Sequence, residues 1–268
     1  MNRFRLDRLL TLYLFRYLSA RSVRRIPILM YHSISDEKEH AHPYYHVNTS
    51  PAVFDDHMRL LRDQQYRVIN LHEIETAFQD KHFNKYAVIT FDDGFRDFYT
   101  SAYPILKKYG FSATVFLPTA FIGDERLSFK GKECMTWEEV RALHHQGIAF
   151  GSHTHSHPQL IDLSAQEIER EIEQSKEAIE NRLGSHVRAF AYPYKFPERS
   201  MTFINSLRNI LTRQGFTFSV CTRIGTTAIE DGSHFLKRLP INSGDDNRFF
   251  LAKLSGAYNW LYAVQRGL

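Results

Sequence analysis

Short apolar and β-branched runs alternate with helix-like stretches along nearly the whole chain, and few folds accept that order. The runs 26–32, 66–69, 88–94, 113–117, 148–152, 187–194, 216–222 and 235–241 have the length and composition of strands. Helix signals stand between them. Ser50-Pro51 places a capping hydroxyl before a proline at the first helical position, ahead of a stripe of Phe54, Met58, Leu60 and Leu61. Helices are predicted over 71–78 and over 97–109, the latter stopped by Gly110. Thr136 with Glu139, and Ser164 with Glu167, form capping boxes, the second opening a helix to residue 183 that ends at Gly184. Further helices are expected near 202–214 and from Asp246. Strand–helix alternation of this kind builds a parallel α/β fold, either a barrel or an open sheet.

In such folds the carboxyl ends of the strands share one face, and sites are built there. The chemically able residues of this chain stand where predicted strands end: Tyr31-His32, Asp92-Asp93-Gly94, His153-Thr154-His155-Ser156-His157, and Tyr192-Pro193-Tyr194. Topology therefore brings them together although they are far apart in sequence. Alone, Asp92 or Asp93 reads as a cap for the helix that follows. His153 and His157 change that balance, because two imidazoles at this spacing can meet one ion. Adding one carboxylate gives an N,N,O set suited to Zn²⁺ or a similar divalent ion, with Co²⁺ or Ni²⁺ as alternatives. Three protein ligands leave positions open for water and substrate, the arrangement of a catalytic site. Adjacent side chains at a strand end diverge, so one aspartate can hold the ion while the other handles a proton. His155 is out of phase with the pair and reads as a non-ligand. His144 and His145 read as helix surface, and His40, His42 and His46 as loop residues.

The 268 residues suit one large domain, and the 43% apolar content supplies its core. A net charge of +4 permits an anionic partner without requiring one, and no nucleic-acid motif accompanies it. Cys134 and Cys221 form neither a disulfide framework nor a metal motif. Residues 1–25 differ from the rest. Arg3, Arg5, Arg8, Arg16, Arg21, Arg24 and Arg25 interleave with Leu6, Leu9, Leu10, Tyr13, Leu14, Tyr17 and Leu18 at helical spacing, and Asp7 is the one acid. Two readings stand level: a helix packed on the outside of its own domain, and a basic amphipathic helix on an anionic membrane surface. A cleaved signal ending near Leu18-Ser19-Ala20 ranks last, because Arg16 cuts the apolar stretch short. This favours a cytoplasmic or membrane-associated location over secretion.

The chain resembles the polysaccharide deacetylases of the NodB-homology type, carbohydrate esterase family 4, over roughly residues 26–255. Thr90-Phe91-Asp92-Asp93-Gly94 is similar to the family's TFDDG motif, and His153-Thr154-His155-Ser156-His157 to its H-[ST]-x-x-H motif. Phe190-Ala191-Tyr192-Pro193-Tyr194 looks like the FAYPYG variant of deacetylases acting on exported β-1,6-linked N-acetylglucosamine polymers, and Pro27-Ile28-Leu29-Met30-Tyr31-His32 resembles the same subgroup. The resemblance implies a single-domain distorted (β/α)₇ barrel over 26–268 that hydrolyses the N-acetyl amide of an amino sugar. It implies Asp93, His153 and His157 as metal ligands, Asp92 as the catalytic base, and an oxyanion donor in the Tyr192-Pro193-Tyr194 turn, from a backbone N–H near Tyr194. The implied partner is an N-acetylated saccharide of the bacterial envelope, polymeric or lipid-linked.

The sequence departs from many family members in three places. Ala191 stands where an arginine would steady the base, Lys195 replaces the final glycine of that motif, and the last strand lacks the histidine that serves as general acid. Arg238 is the candidate to steady Asp92, and His32 the candidate acid. The competing reading is a sugar-binding relative without turnover, held at a membrane by residues 1–25. Retention of Asp92, Asp93, His153 and His157 together favours the enzyme.

Overall fold

A computed structural model describes residues 5–14, 24–39, 44, 46–82 and 85–267. Arg3, Arg16, Arg21, Tyr17, the Leu18-Ser19-Ala20 stretch, His40 and His42 lie outside the described residues. The main strands in chain order are β1 (Ile28–Tyr31), β2 (Arg67–Ile69), β3 (Tyr86–Phe91), β4 (Thr114–Leu117), β5 (Ala149–Ser152), β6 (Ala189–Ala191), β7 (Phe218–Ile224) and β8 (Leu236–Pro240). All pair in parallel, and β8 returns to β1, which in turn pairs with β3. Seven strands thus close a ring. β2 pairs with β3 alone and flanks it, Arg67 opposite Tyr86. The ring answers the expectation of a seven-stranded α/β barrel in one domain.

Period-two alternation divides the core. Ile28, Val88, Phe116, Val220 and Leu236 cluster inside the ring, whereas Leu29, Ile89, Phe91, Val115 and Leu117 join the larger cluster between ring and helices. Gly151 on β5 lets the interior close: a Cβ there would lie 2.6 Å from the Phe116 ring and 2.7 Å from the Ala189 carbonyl.

The outer helices begin and end where local chemistry directs. α2 (Pro51–Asp63) follows Ser50, whose hydroxyl accepts from the Val53 N–H at 3.3 Å. α3 (Ile74–Gln79) is short. α4 (Tyr103–Tyr109) follows one wide π turn, Phe98–Ala102, in which the Tyr103 N–H reaches back to Phe98. Pro104, lacking an N–H, sits just beyond that turn. The capping boxes at Thr136 and Ser164 open α5 (Trp137–His145) and α6 (Ala165–Leu183). α7 (Met201–Arg213), α8 (Asn247–Leu254) and α9 (Trp260–Gly267) complete the wall.

One segment departs from the sequence reading. The stretch 122–135 is not merely a polar excursion. Ser128–Phe129 and Lys132–Glu133 pair as a hairpin across Lys130-Gly131, both at positive φ. α1 (Leu6–Tyr13) packs on its own domain: Leu12 joins the core, while Arg5 just before the helix, Asp7 and Thr11 bond to Asp245, Tyr258 and Trp260 respectively. Leu6, Leu9, Tyr13 and Leu14 are left exposed. Among the described residues no helix is long and apolar enough to cross a membrane.

Candidate metal centre and active site

Asp92 follows the last residue of β3 in step with Val88 and Thr90, so its carboxylate turns into the mouth of the barrel. Arg238 on β8 is in step with Leu236 and faces the same space. The two meet there as a buried bidentate pair, Nη1 to Oδ1 and Nη2 to Oδ2, each at 2.7 Å. The guanidinium also donates from Nε to the Cys221 carbonyl at 3.1 Å and from Nη1 to Thr90 Oγ1 at 3.3 Å, above the Phe116 ring. A lysine could not reproduce this planar fork. Burial pushes the Asp92 pKa up, but Arg238 and the neighbouring imidazoles outweigh it and hold the carboxyl below its usual range. His32, just beyond β1, places Nε2 3.9 Å from Asp92 Oδ2. Burial lowers its pKa against the pull of Asp92 and Asp93.

Asp93 points elsewhere. Its Oδ1 lies 3.3 Å from His157 Nε2 and 3.6 Å from His153 Nε2. One donor atom from each of the three lies within 4.8 Å of the others, and all three residues are buried. His153 Nδ1 donates to the Ala191 carbonyl at 2.8 Å, which leaves the Nε2 lone pair facing Asp93. Burial brings the His153 pKa down to about 4, keeping the ring neutral as a ligand must be. Burial pushes Asp93 up, yet the three histidines and Lys130 hold it well below the carboxylate range.

Asp93 Oδ1 is buried and accepts no hydrogen bond. A bare carboxylate oxygen in the interior is costly. A divalent cation among these donors satisfies it, and an N,N,O set with open positions fits such an ion. The second oxygen is engaged: Lys130 Nζ, at the tip of the hairpin, lies 3.2 Å from Oδ2. The same ammonium stands over the rings of Phe129 and Tyr194, which both pack against His157.

Backbone strain is concentrated here. Asp93, Lys130, Thr154, His157 and Tyr194 all have φ between 51° and 70°, the left-handed region that side chains with a Cβ seldom occupy. Local bonds hold the loop in this form: Ser152 Oγ accepts from the Thr154 N–H at 3.2 Å, and Thr154 Oγ1 from the His157 N–H at 3.0 Å. Tyr194 is half exposed at the mouth, and among the described residues its N–H has no protein acceptor.

Of the residues singled out in the sequence, Asp92, Asp93, His153, His157, His32, Arg238 and Tyr194 converge. Tyr192 does not reach the opening. Its ring is buried against Phe196 and Phe203, and its N–H donates to the Val220 carbonyl. Pro193 is buried beside it. His155 binds Thr119 rather than facing Asp93. Neither aspartate caps a helix. Lys130 was not foreseen, and its only signal was a Lys-Gly turn between two short polar runs.

The polysaccharide deacetylase family model matches residues 79–218, just over half of the chain. That span holds both aspartates and both histidines but neither His32 nor Arg238. YxkH of Bacillus subtilis is 30% identical over 237 residues, covering 87% of this chain and 76% of that protein. The poly-β-1,6-N-acetyl-D-glucosamine N-deacetylase of Staphylococcus aureus is 27% identical over 157 residues, covering 55% of this chain. The chain matches about half, 53%, of that protein's length. Among solved structures, the Streptococcus pyogenes deacetylase PplD, in complex with acetate, superposes with a TM-score of 0.74 at 26% identity. The superposition covers 87% of this chain and 99% of that one.

Proposed function

The chain belongs to the polysaccharide deacetylase family, carbohydrate N-deacetylases that hydrolyse a carbon–nitrogen bond, and we propose that it removes acetyl groups from N-acetylated amino sugars of a bacterial envelope glycan. One observation carries the reading: a buried, bare oxygen of Asp93 facing two imidazoles, beside a second aspartate whose oxygens are both held by arginine.

Asp93, His153 and His157 hold the divalent ion, with Zn²⁺ the best match to the donor set. When bound, the ion supplies Lewis-acid polarisation and a lower pKa for water. Asp92 takes the proton of the water that attacks the acetyl carbonyl. Its low pKa keeps it ionised, and Arg238 fixes its direction, replacing the arginine absent at Ala191. The Tyr194 N–H donates to the acetyl oxygen as charge develops there, a contribution of about 10²–10³ in rate. His32 passes a proton to the leaving nitrogen as the amide C–N bond breaks, releasing acetate and a free amine.

The FAYPY motif and the staphylococcal relative support a β-1,6-linked N-acetylglucosamine polymer as substrate. The exposed stripe of α1 and the arginines of residues 1–25 support attachment of this segment to an anionic membrane surface, where a lipid-linked saccharide is the alternative substrate. Acetate release and metal content, measured across polymeric and lipid-linked N-acetylhexosamines, test both points. Release from the β-1,6 polymer with one metal per chain supports the reading. Metal-free protein inert on every substrate returns the chain to a sugar-binding role.

A further inference from the structure

Helix α6 reads as a charged outer helix, and Glu167, Glu173 and Glu177 on it are exposed. Glu171 is different. Its Oε2 accepts from two consecutive N–H groups of the histidine loop, His155 at 3.0 Å and Ser156 at 2.8 Å. Its Oε1 accepts from the Ser156 hydroxyl at 2.7 Å. One turn further along α6, buried Ser175 accepts at 2.9 Å from Ser152 Oγ, which in turn accepts from the Thr154 N–H. The segment between His153 and His157 is thereby tied to the helix at two points.

We propose that Glu171 and Ser175 are positioning residues for the metal centre. The inference rests on the metal-site reading above. Thr154 and His157 are left-handed, at φ of 67° and 56°, and His153 and His157 converge only while the loop keeps that shape. Successive N–H groups turned to one side form a nest that favours an anion, and Glu171 provides it from within the chain. The carboxylate offsets the strain, so the imidazoles meet the ion without first ordering the loop. Losing a partner in this outer layer weakens metal binding by about 10–100-fold.

The test is Zn²⁺ affinity of the full chain, measured by chelator competition, together with melting of the metal-free protein. Glu171→Ala should weaken binding by about 10–100-fold. Glu171→Gln, whose amide oxygen still accepts from both N–H groups, should recover most of that loss. Glu173→Ala, on the exposed side of α6, should bind as the wild type does. A positioning role also requires that Zn²⁺ raise the melting temperature less in Glu171→Ala, while the metal-free melting temperature barely moves. Wild-type affinity in Glu171→Ala would overturn the proposal. Should that variant not fold, wild-type affinity in both Glu171→Gln and Ser175→Ala would do the same. No Zn²⁺ binding by the wild-type chain would remove the metal centre itself, a different failure.

Discussion

Among the described residues two clusters of buried charge stand apart, and only one of them has the form of an active site. At the barrel mouth, Asp92, Asp93, Arg238, His153 and His157 are buried together. On the barrel wall, Asp245 and Lys253 pair at 2.8 Å, Arg5 reaches Asp245 at 3.4 Å, and Asp7 joins Arg5 and Tyr258. Both clusters are rich in perturbed groups. In the wall cluster every charged oxygen has a donor: Asp245 Oδ2 takes Lys253 and the Asn242 N–H, and Lys253 also donates to the Pro240 carbonyl. None of its residues is left-handed. The mouth cluster has a bare carboxylate oxygen and strained backbone around it. Buried charge alone therefore does not mark chemistry. Unsatisfied valence held by a strained backbone does, and the wall cluster reads as a clasp that ties the N-terminal helix to α8 and α9.

The comparison is sharpened first by His32→Ala, expected to lower turnover by about 10²–10⁴ with metal content unchanged. Wild-type turnover would take His32 out of the proton path. Arg238→Met and Lys253→Met come next. Arg238→Met strands buried Asp92 and should cost about 3–5 kcal/mol of stability by denaturant unfolding, while Lys253→Met leaves Asp245 its Arg5 and Asn242 donors and should cost less. Only Arg238→Met should also reduce turnover per folded molecule. Equal losses of turnover in both would erase the distinction between the clusters.

A third contrast is in pH. His57, beside the wall cluster, is buried against Phe250, and its Nε2 donates to the Asp245 carbonyl at 2.7 Å. Burial brings its pKa down to about 4, despite the opposing pull of Asp245. Between about 6.5 and 4 the unfolded chain binds the proton and the folded one does not, so stability falls as pH drops through that window. The fall amounts to about 3 kcal/mol at most and is absent above the unfolded pKa. Denaturation curves for wild type and His57→Gln should converge toward the acid end. A constant gap would remove His57 as the cause. The smallest effect is expected for Asp7→Asn, which weakens a charge-assisted bond by about 1.5–3 kcal/mol and should leave turnover unchanged.

Much of this was legible in the sequence, for reasons that can be named. Caps at Ser50, Thr136 and Ser164 and the stop at Gly184 act locally, so the helices could be read without the fold. The meeting of Asp92 with Arg238 follows from period two once the ring is closed. Other features depend on distant contacts. Glu171 resembles its neighbours on α6 until the histidine loop is laid against it. Lys130 reaches Asp93 only because its hairpin folds over the mouth. Tyr192 alternates in step with Phe190 into the layer between ring and helices, whereas Tyr194 beyond it is exposed at positive φ. The clasp joins Asp7 to Tyr258 across nearly the whole chain, and no local pattern announces it.

The division of labour between the adjacent aspartates is the central claim. The direct measurement is metal content together with acetate release from an N-acetylhexosamine polymer, for Asp92→Asn and Asp93→Asn side by side. Asp92→Asn should keep one metal per chain and lose turnover by about 10²–10⁴, while Asp93→Asn should lose the metal. Full metal and full turnover in both variants would contradict it.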